Sequence, residues 1–304
     1  GFALPSAVEA GTAITVGGKI LLVGGRNSAN QDLNQVLEFD PDTNQWSQKT
    51  TMPTARHALE LVYFDGKILA IGGFSPYPTS SNKVEAYDVS TDSWTSLPSI
   101  TTPRSWPSSW VSNGRIFVGG GAASNSSFLN SIESFDPNTN QWSITGTLPE
   151  IKYVAGTASL GCKVYIVAGH NGSALTTKVH AADITPPMDL YFRDANVTGT
   201  VTLDKFAGEV TAKLDGNASA LSPIGAVTAV DHNDAPPADH AVLERTDNNA
   251  THVWEEMAPV SVARWVHDGA ETLEGKIYLV GGSDAVPQSY NLAERYDPAT
   301  NQWE

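Results

Sequence analysis

A chain of 304 residues suffices for one large all-β domain or two ordinary domains, and 40% apolar with 17% charged residues suits a packed core and excludes wholesale disorder. The net charge of −15 argues against a nucleic-acid partner, whose phosphates would meet a field of their own sign. One cysteine, Cys162, excludes an intrachain disulfide and a cysteine zinc site, and no apolar run approaches the ~20 residues that cross a bilayer.

Gly1 opens the chain with neither initiator Met nor signal-like run, which predicts a processed or excised form. Acidity and scarce cysteine favour an extracellular or periplasmic setting, with the cytoplasm also compatible. Reading along the chain, GGKILLVGG (17–25) is an apolar run closed by paired glycines. VLEFDPDTNQW (36–46) follows as an acidic-aromatic strand, a turn and a tryptophan. The same order returns in DGKILAIGG (65–73) with VEAYDVSTDSW (84–94), and in NGRIFVGGG (113–121) with IESFDPNTNQW (132–142). It returns once more in EGKIYLVGG (274–282) with LAERYDPATNQW (292–303).

Each residue type has a physical reason. Apolar runs without alternation predict strands buried on both faces. Paired glycines let backbone approach backbone where a side chain would collide. Asp-Pro-x-Thr-Asn is turn chemistry, and the late Trp with its Tyr or Phe fills the space between sheets. A period near 50 residues with these features resembles the kelch family over nearly the whole chain. The resemblance implies an all-β fold, a kelch-type β-propeller of four-stranded blades stacked around an axis.

Blade counting is less direct between Trp142 and Trp254. CKVYIVAG (162–169) and KVHAAD (178–183) begin one blade, with Tyr191 near where a tryptophan is due. VLERTDNNATHVW (242–254) resembles the outer half of another, and GTVTLDKF (199–206) with GEVTAKL (208–214) its inner hairpin. The expectation is therefore a single propeller domain over 1–304 with six blades, 198–258 being degenerate. The alternative is five blades with 184–246 inserted as a separate β-element. The first residues are expected to complete the last outer strand and so close the ring.

Propellers carry function on loops, and the resemblance places binding on the longer-loop face. There the segments leading into each inner strand supply Glu9, Arg56, His57, Arg104, Trp106, Tyr153, Arg264, Trp265 and His267, and the loops after the glycines add Arg26 and His170. Arginine offers a fork for carboxylate or phosphate, and rings stack on sugars or peptide side chains. The competing reading makes the arginines routine ties between loops. Asn27, Phe74, Tyr77, Asn171, Asp284 and Tyr290 read mostly as solvated loop residues. Asp231, His232, Asp234, Asp239 and His240 form a dense loop able to take a divalent ion such as Ca²⁺ or Zn²⁺, or else an ordinary acidic surface.

The known chemistries of this ring each require particular residues. Cys162 sits on the short-turn side, against a galactose-oxidase-like cofactor, and no Glu-x-x-x-Asp-x-x-x-His iron string occurs. Two readings remain: a module binding a protein or glycan ligand, and a carbohydrate-active enzyme of sialic-acid mutarotase or polysaccharide lyase type. In the second, Glu9, His57 or His267 would be the acid/base.

Overall fold

The computed structural model describes residues 4–124, 127–160, 162–184, 210–213, 227–230, 242–245, 252–265, 270–273, 275–284 and 292–304. The described residues form five antiparallel four-stranded blades and one three-stranded sheet. The first blade is Thr12–Val16, Lys19–Val23, Val36–Asp40 and Gln45–Gln48. The second is Glu60–Phe64, Lys67–Ile71, Val84–Asp88 and Ser93–Leu97. The third is Ser108–Ser112, Arg115–Gly119, Ser131–Asp136 and Gln141–Thr147. The fourth is Gly156–Leu160, Lys163–Val167, Val179–Asp183 and Trp254–Met257, and the fifth is Ala270–Leu273, Lys276–Val280, Ala293–Asp297 and Gln302–Trp303.

Five blades replace the expected six. Trp254–Met257 does not close a degenerate fifth blade of six; it completes the fourth, with Ala182 opposite Trp254 and His180 opposite Glu256. The turn that other blades make in a few residues, as between Asp40 and Gln45, is here the site of a long insertion. Residues 185–251 form a separate compact unit. Within it Val210–Lys213 pairs in parallel with Val227–Val230 and antiparallel with Val242–Arg245. Val242–Arg245 is therefore no outer strand of a blade. Tyr191, 199–206 and the metal candidates Asp231, His232, Asp234, Asp239 and His240 lie outside the described residues.

Local chemistry accounts for the repeated hairpins. The Asp40 carboxylate accepts the Asp42 and Thr43 amides at 2.9 and 3.3 Å, and Asp88 does the same for Ser90 and Thr91. Across each such hairpin a ring faces the late tryptophan: Phe39–Trp46, Tyr87–Trp94, Phe135–Trp142 and Tyr296–Trp303 all lie 5.1–5.3 Å apart. The indole then donates to a carbonyl of the preceding blade, Trp94 to Thr50, Trp142 to Pro98 and Trp303 to Ala258, at 2.9–3.0 Å. These tryptophans tie blade to blade. In the fourth blade Ala182 replaces the ring, and Trp254 instead meets Trp110 of the third blade edge-on at 5.8 Å.

The core is a series of joints between neighbouring blades. Leu21, Val23 and Val36 pack on Leu61, Ile68, Ala70 and Tyr87; Leu69, Ile71 and Val84 pack on Ile116, Val118 and Phe135. Stacked Trp110 and Phe117 meet His252 and Trp254 at the next joint, and Tyr165, Val167 and Val179 meet Ile277, Leu279 and Tyr296 at the fourth. Among the described residues no apolar cluster joins the fifth blade to the first. Ile20 is 36% exposed and Val280 59%, whereas Ile68 and Ile71 at the equivalent places are fully buried. Of the first residues expected to complete the last blade, 1–3 lie outside the described residues and Leu4–Ala7 are exposed; the described fourth strand of that blade is Gln302–Trp303.

Candidate binding site

One backbone device repeats at the long-loop end of every blade. A residue before the inner strand bridges to the residue after the paired glycines: Glu9 to Arg26, His57 to Phe74, Ser105 to Ala122, Tyr153 to His170 and Trp265 to Ser283. In the first four blades that second residue bridges again, to Asp32, Ser80, Phe128 and Leu175. Three side chains in each of the first four blades, and two in the fifth, are thus fixed on the rim by main-chain bonds, whatever their chemistry.

The residue after the first bridge position has a positive φ, between 48° and 53° at Ala10, Ala58, Trp106 and Val154. That left-handed turn aims its amide at the preceding blade, Ala58 to the Ala10 carbonyl at 2.9 Å and Trp106 to the Ala58 carbonyl at 2.8 Å. An L-residue is strained there, and the inter-blade bond offsets the cost. Trp106 is the large side chain in a position otherwise filled by Ala or Val, so its size is not needed for the turn.

Together these devices assemble an arc of rings over the second, third and fourth blades. His57 lies 5.1 Å from Phe74, which meets Tyr77 at 5.1 Å and Trp106 edge-on at 5.0 Å. Trp106 leads to Tyr153 at 6.4 Å, and Tyr153 stacks on Phe128 at 4.5 Å and touches His170 at 5.0 Å. Tyr77 is 58% exposed, while Trp106, Phe128, Tyr153 and His170 are half-buried, so the arc is open at its surface.

The arc is uncharged near neutral pH. Burial holds the His57 imidazole below its ordinary value despite Asp32, whose carboxylate lies 2.6 Å from Nδ1. Burial likewise lowers His170 and raises the Tyr153 phenol. Glu9 and Arg26 pair with each other at 3.0 Å beside it.

The three lead-in arginines belong elsewhere, which corrects their expected ligand role. Arg56, Arg104 and Arg264 are 0% exposed and face Glu85, Glu133 and Glu294 at 2.8, 2.7 and 2.6 Å. Arg56 also donates to the carbonyls of Gly72 and Lys83, and Arg104 to those of Gly120 and Ser131. They are internal frame members tying the lead-in segment to its own blade. Burying such a charge is tolerable only with an opposite charge beside it, and each guanidinium has one although its Nε is unpaired.

Glu9, Arg26, His57, Trp106, Tyr153 and His170 therefore occupy the rim, and Trp265 takes the bridge position of the fifth blade, half-buried opposite Ser283. His267 lies outside the described residues. Phe74 and Tyr77 prove to be arc members, and Phe128 was missed. Aligning the second bridge position, Asp32 with Ser80, Phe128 and Leu175, would have found it. Among the described residues no group of three or more His, Cys, Asp and Glu is placed to hold a metal ion, and no helix is long and apolar enough to cross a membrane. Cys162 is free and exposed.

Comparisons with known proteins agree with this frame. Residues 3–169 match the family model described as the KLHDC2/KLHL20/DRC7 Kelch-repeats domain, and 269–304 match the Kelch motif. Kelch-like protein 25 of Xenopus tropicalis is 43% identical over 58 residues, covering 16% of this chain and 10% of that protein. The chain thus spans about a tenth of that curated relative's length. A solved structure described as that of YjhT superposes with a TM-score of 0.58 at 16% identity, covering 99% of this chain and 97% of that one. At that identity the likeness shows the fold alone.

Proposed function

Because the chain belongs to the KLHDC2/KLHL20/DRC7 Kelch-repeats domain family, we propose that it is a binding module holding a segment of a partner protein against the aromatic arc. The observation that carries this reading is the continuity of the arc. Rings from three successive blades form one surface, with the lead-in guanidiniums turned inward. Such a surface suits aliphatic, proline or aromatic side chains, which gain from ring contact and need no counter-charge.

Peptides selected from a displayed library on the purified chain test this. Trp106→Ala is the clean variant, since Ala10 and Ala58 already occupy the equivalent turn with the same φ. A central anchor is worth about 2 kcal/mol or more, so Trp106→Ala should weaken selected peptides by about 30-fold. Tyr77→Ala should weaken them as well. Wild-type affinity in both variants would place the peptides elsewhere and sink the proposal.

A glycan-directed reading, with a carbohydrate-active enzyme as its catalytic form, draws on the same rings and on His57 held by Asp32. An acidic sugar would want a free guanidinium, and Arg56, Arg104 and Arg264 are committed to internal glutamates. Binding of a sialylated glycan on an array, abolished by Trp106→Ala, would favour it over the peptide reading.

A further inference from the structure

The buried pair behind the rim changes chemistry in one blade. The position occupied by Arg56, Arg104 and Arg264 is Val8 in the first blade, and its partner position is Leu37 in place of Glu85, Glu133 and Glu294. In the fourth blade the two positions are Lys152 and His180, both buried. A cation here faces an imidazole, where its counterparts face a carboxylate.

The missing counter-charge comes from Glu150, two residues before Lys152. Its carboxylate lies 3.1 Å from Lys152 Nζ and 4.0 Å from His180 Nδ1. Lys152 Nζ also donates to the carbonyls of Ala168 and Lys178 at 2.9 and 3.1 Å. His180 Nδ1 is buried and has no hydrogen-bond partner. On the adjoining strand Glu256 stands opposite His180 and pairs with Lys178 at 3.1 Å. The charged groups around the imidazole are therefore Lys152 and Lys178 against Glu150 and Glu256.

This cluster is built into the rim. The Lys152 carbonyl accepts the Gly121 amide of the third blade at 2.8 Å. The next residue is Tyr153, bridged to His170 and stacked on Phe128. We propose that Glu150, Lys152 and His180 form a proton-responsive joint, which holds Tyr153 in the arc while His180 is neutral and slackens that segment when His180 gains a proton. Only the consequence for binding rests on the function proposed above; the joint itself does not.

The direction of the response follows from the surroundings. Burial first, then the Lys152 ammonium, holds His180 below its ordinary value. Burial also lowers Lys152 to about 8, with Glu150 opposing. For a base whose folded value is depressed, the stabilisation is present above the unfolded value, 6.5 for His180, and is lost as pH falls through the folded one. Acid, not alkali, loosens this joint. Each proton taken up raises the unfolding constant about tenfold per pH unit.

Nuclear magnetic resonance titration of the ligand-free chain tests the joint. The His180 ring should titrate below 6.5, and the Tyr153 ring resonances should move with the same midpoint. His180→Glu restores a carboxylate opposite Lys152. It should abolish that movement and flatten the acid loss of stability by one proton's worth. His170 also touches Tyr153, so His170→Asn is the control, and there the movement should persist. Tyr153 resonances that ignore His180→Glu, or that follow His170 instead, would overturn the proposal. No ligand is used, so that result would leave the binding function standing.

Discussion

Glu133→Leu should lower the free energy of unfolding by about 3–5 kcal/mol, because it strands the Arg104 guanidinium in a site with no access to water. The second substitution, Arg104→Val, should recover most of that loss, so the double variant unfolds near the wild-type urea midpoint. The first blade already shows this solution in Val8 and Leu37. Glu133 is strongly committed to its partner. Burial alone would raise its carboxyl, yet the Thr101 hydroxyl, Arg104 and the Thr101 amide hold it below the ordinary range. A double variant as unstable as Glu133→Leu would mean that the pair shapes the lead-in segment in a way apolar packing does not reproduce.

Gly121→Ala should cost about 2–5 kcal/mol, combining a left-handed backbone with a steric collision. At this second glycine φ is 89°, and an added Cβ would lie 2.7 Å from the Ser105 carbonyl oxygen. The turn glycine Gly66 has φ 76° but nothing within 4 Å of the same point, so Gly66→Ala should cost only about 1–2 kcal/mol. Thermal unfolding of the two variants separates a crowded site from an open one. The chain itself supplies a control at the first glycine of the pair. Ala168 replaces it in the fourth blade with φ 55°, while the second position remains Gly169 with φ 82°. Alanine tolerates the first angle far better than the second.

The frame was legible because its determinants are local. Turn aspartates, glycine pairs and late tryptophans each sit in a short string that recurs at a fixed interval, even where, as with the indoles, the contact made is with the preceding blade. The blade count was not local. Nothing near Trp254 tells whether its strand joins Val242–Arg245 or Val179–Asp183, and an insertion within a turn mimics an added period. The lead-in arginines stayed open between ligand contact and internal tie because a sequence gives side-chain type but not direction. A signal was present nonetheless: Arg56 and Arg104 each have a glutamate 29 residues later, and the first blade lacks both members together. The arc escaped in part because Phe74, Tyr77 and Phe128 sit in loops of unequal composition, which main-chain bridges alone bring into line.

Among the described residues the first and fifth blades each share an apolar joint with one neighbour only, which makes them the marginal members of the series. Interior blades are clamped from both flanks, whereas each marginal blade leans on one neighbour, as in proteins whose stability sums over adjacent units. Amide exchange should report this as a gradient: Lys19–Val23 and Lys276–Val280 releasing protection before Lys67–Ile71 and Arg115–Gly119. The rings of the second and third blades, from His57 to Trp106, thus stand on the ground that gives way last.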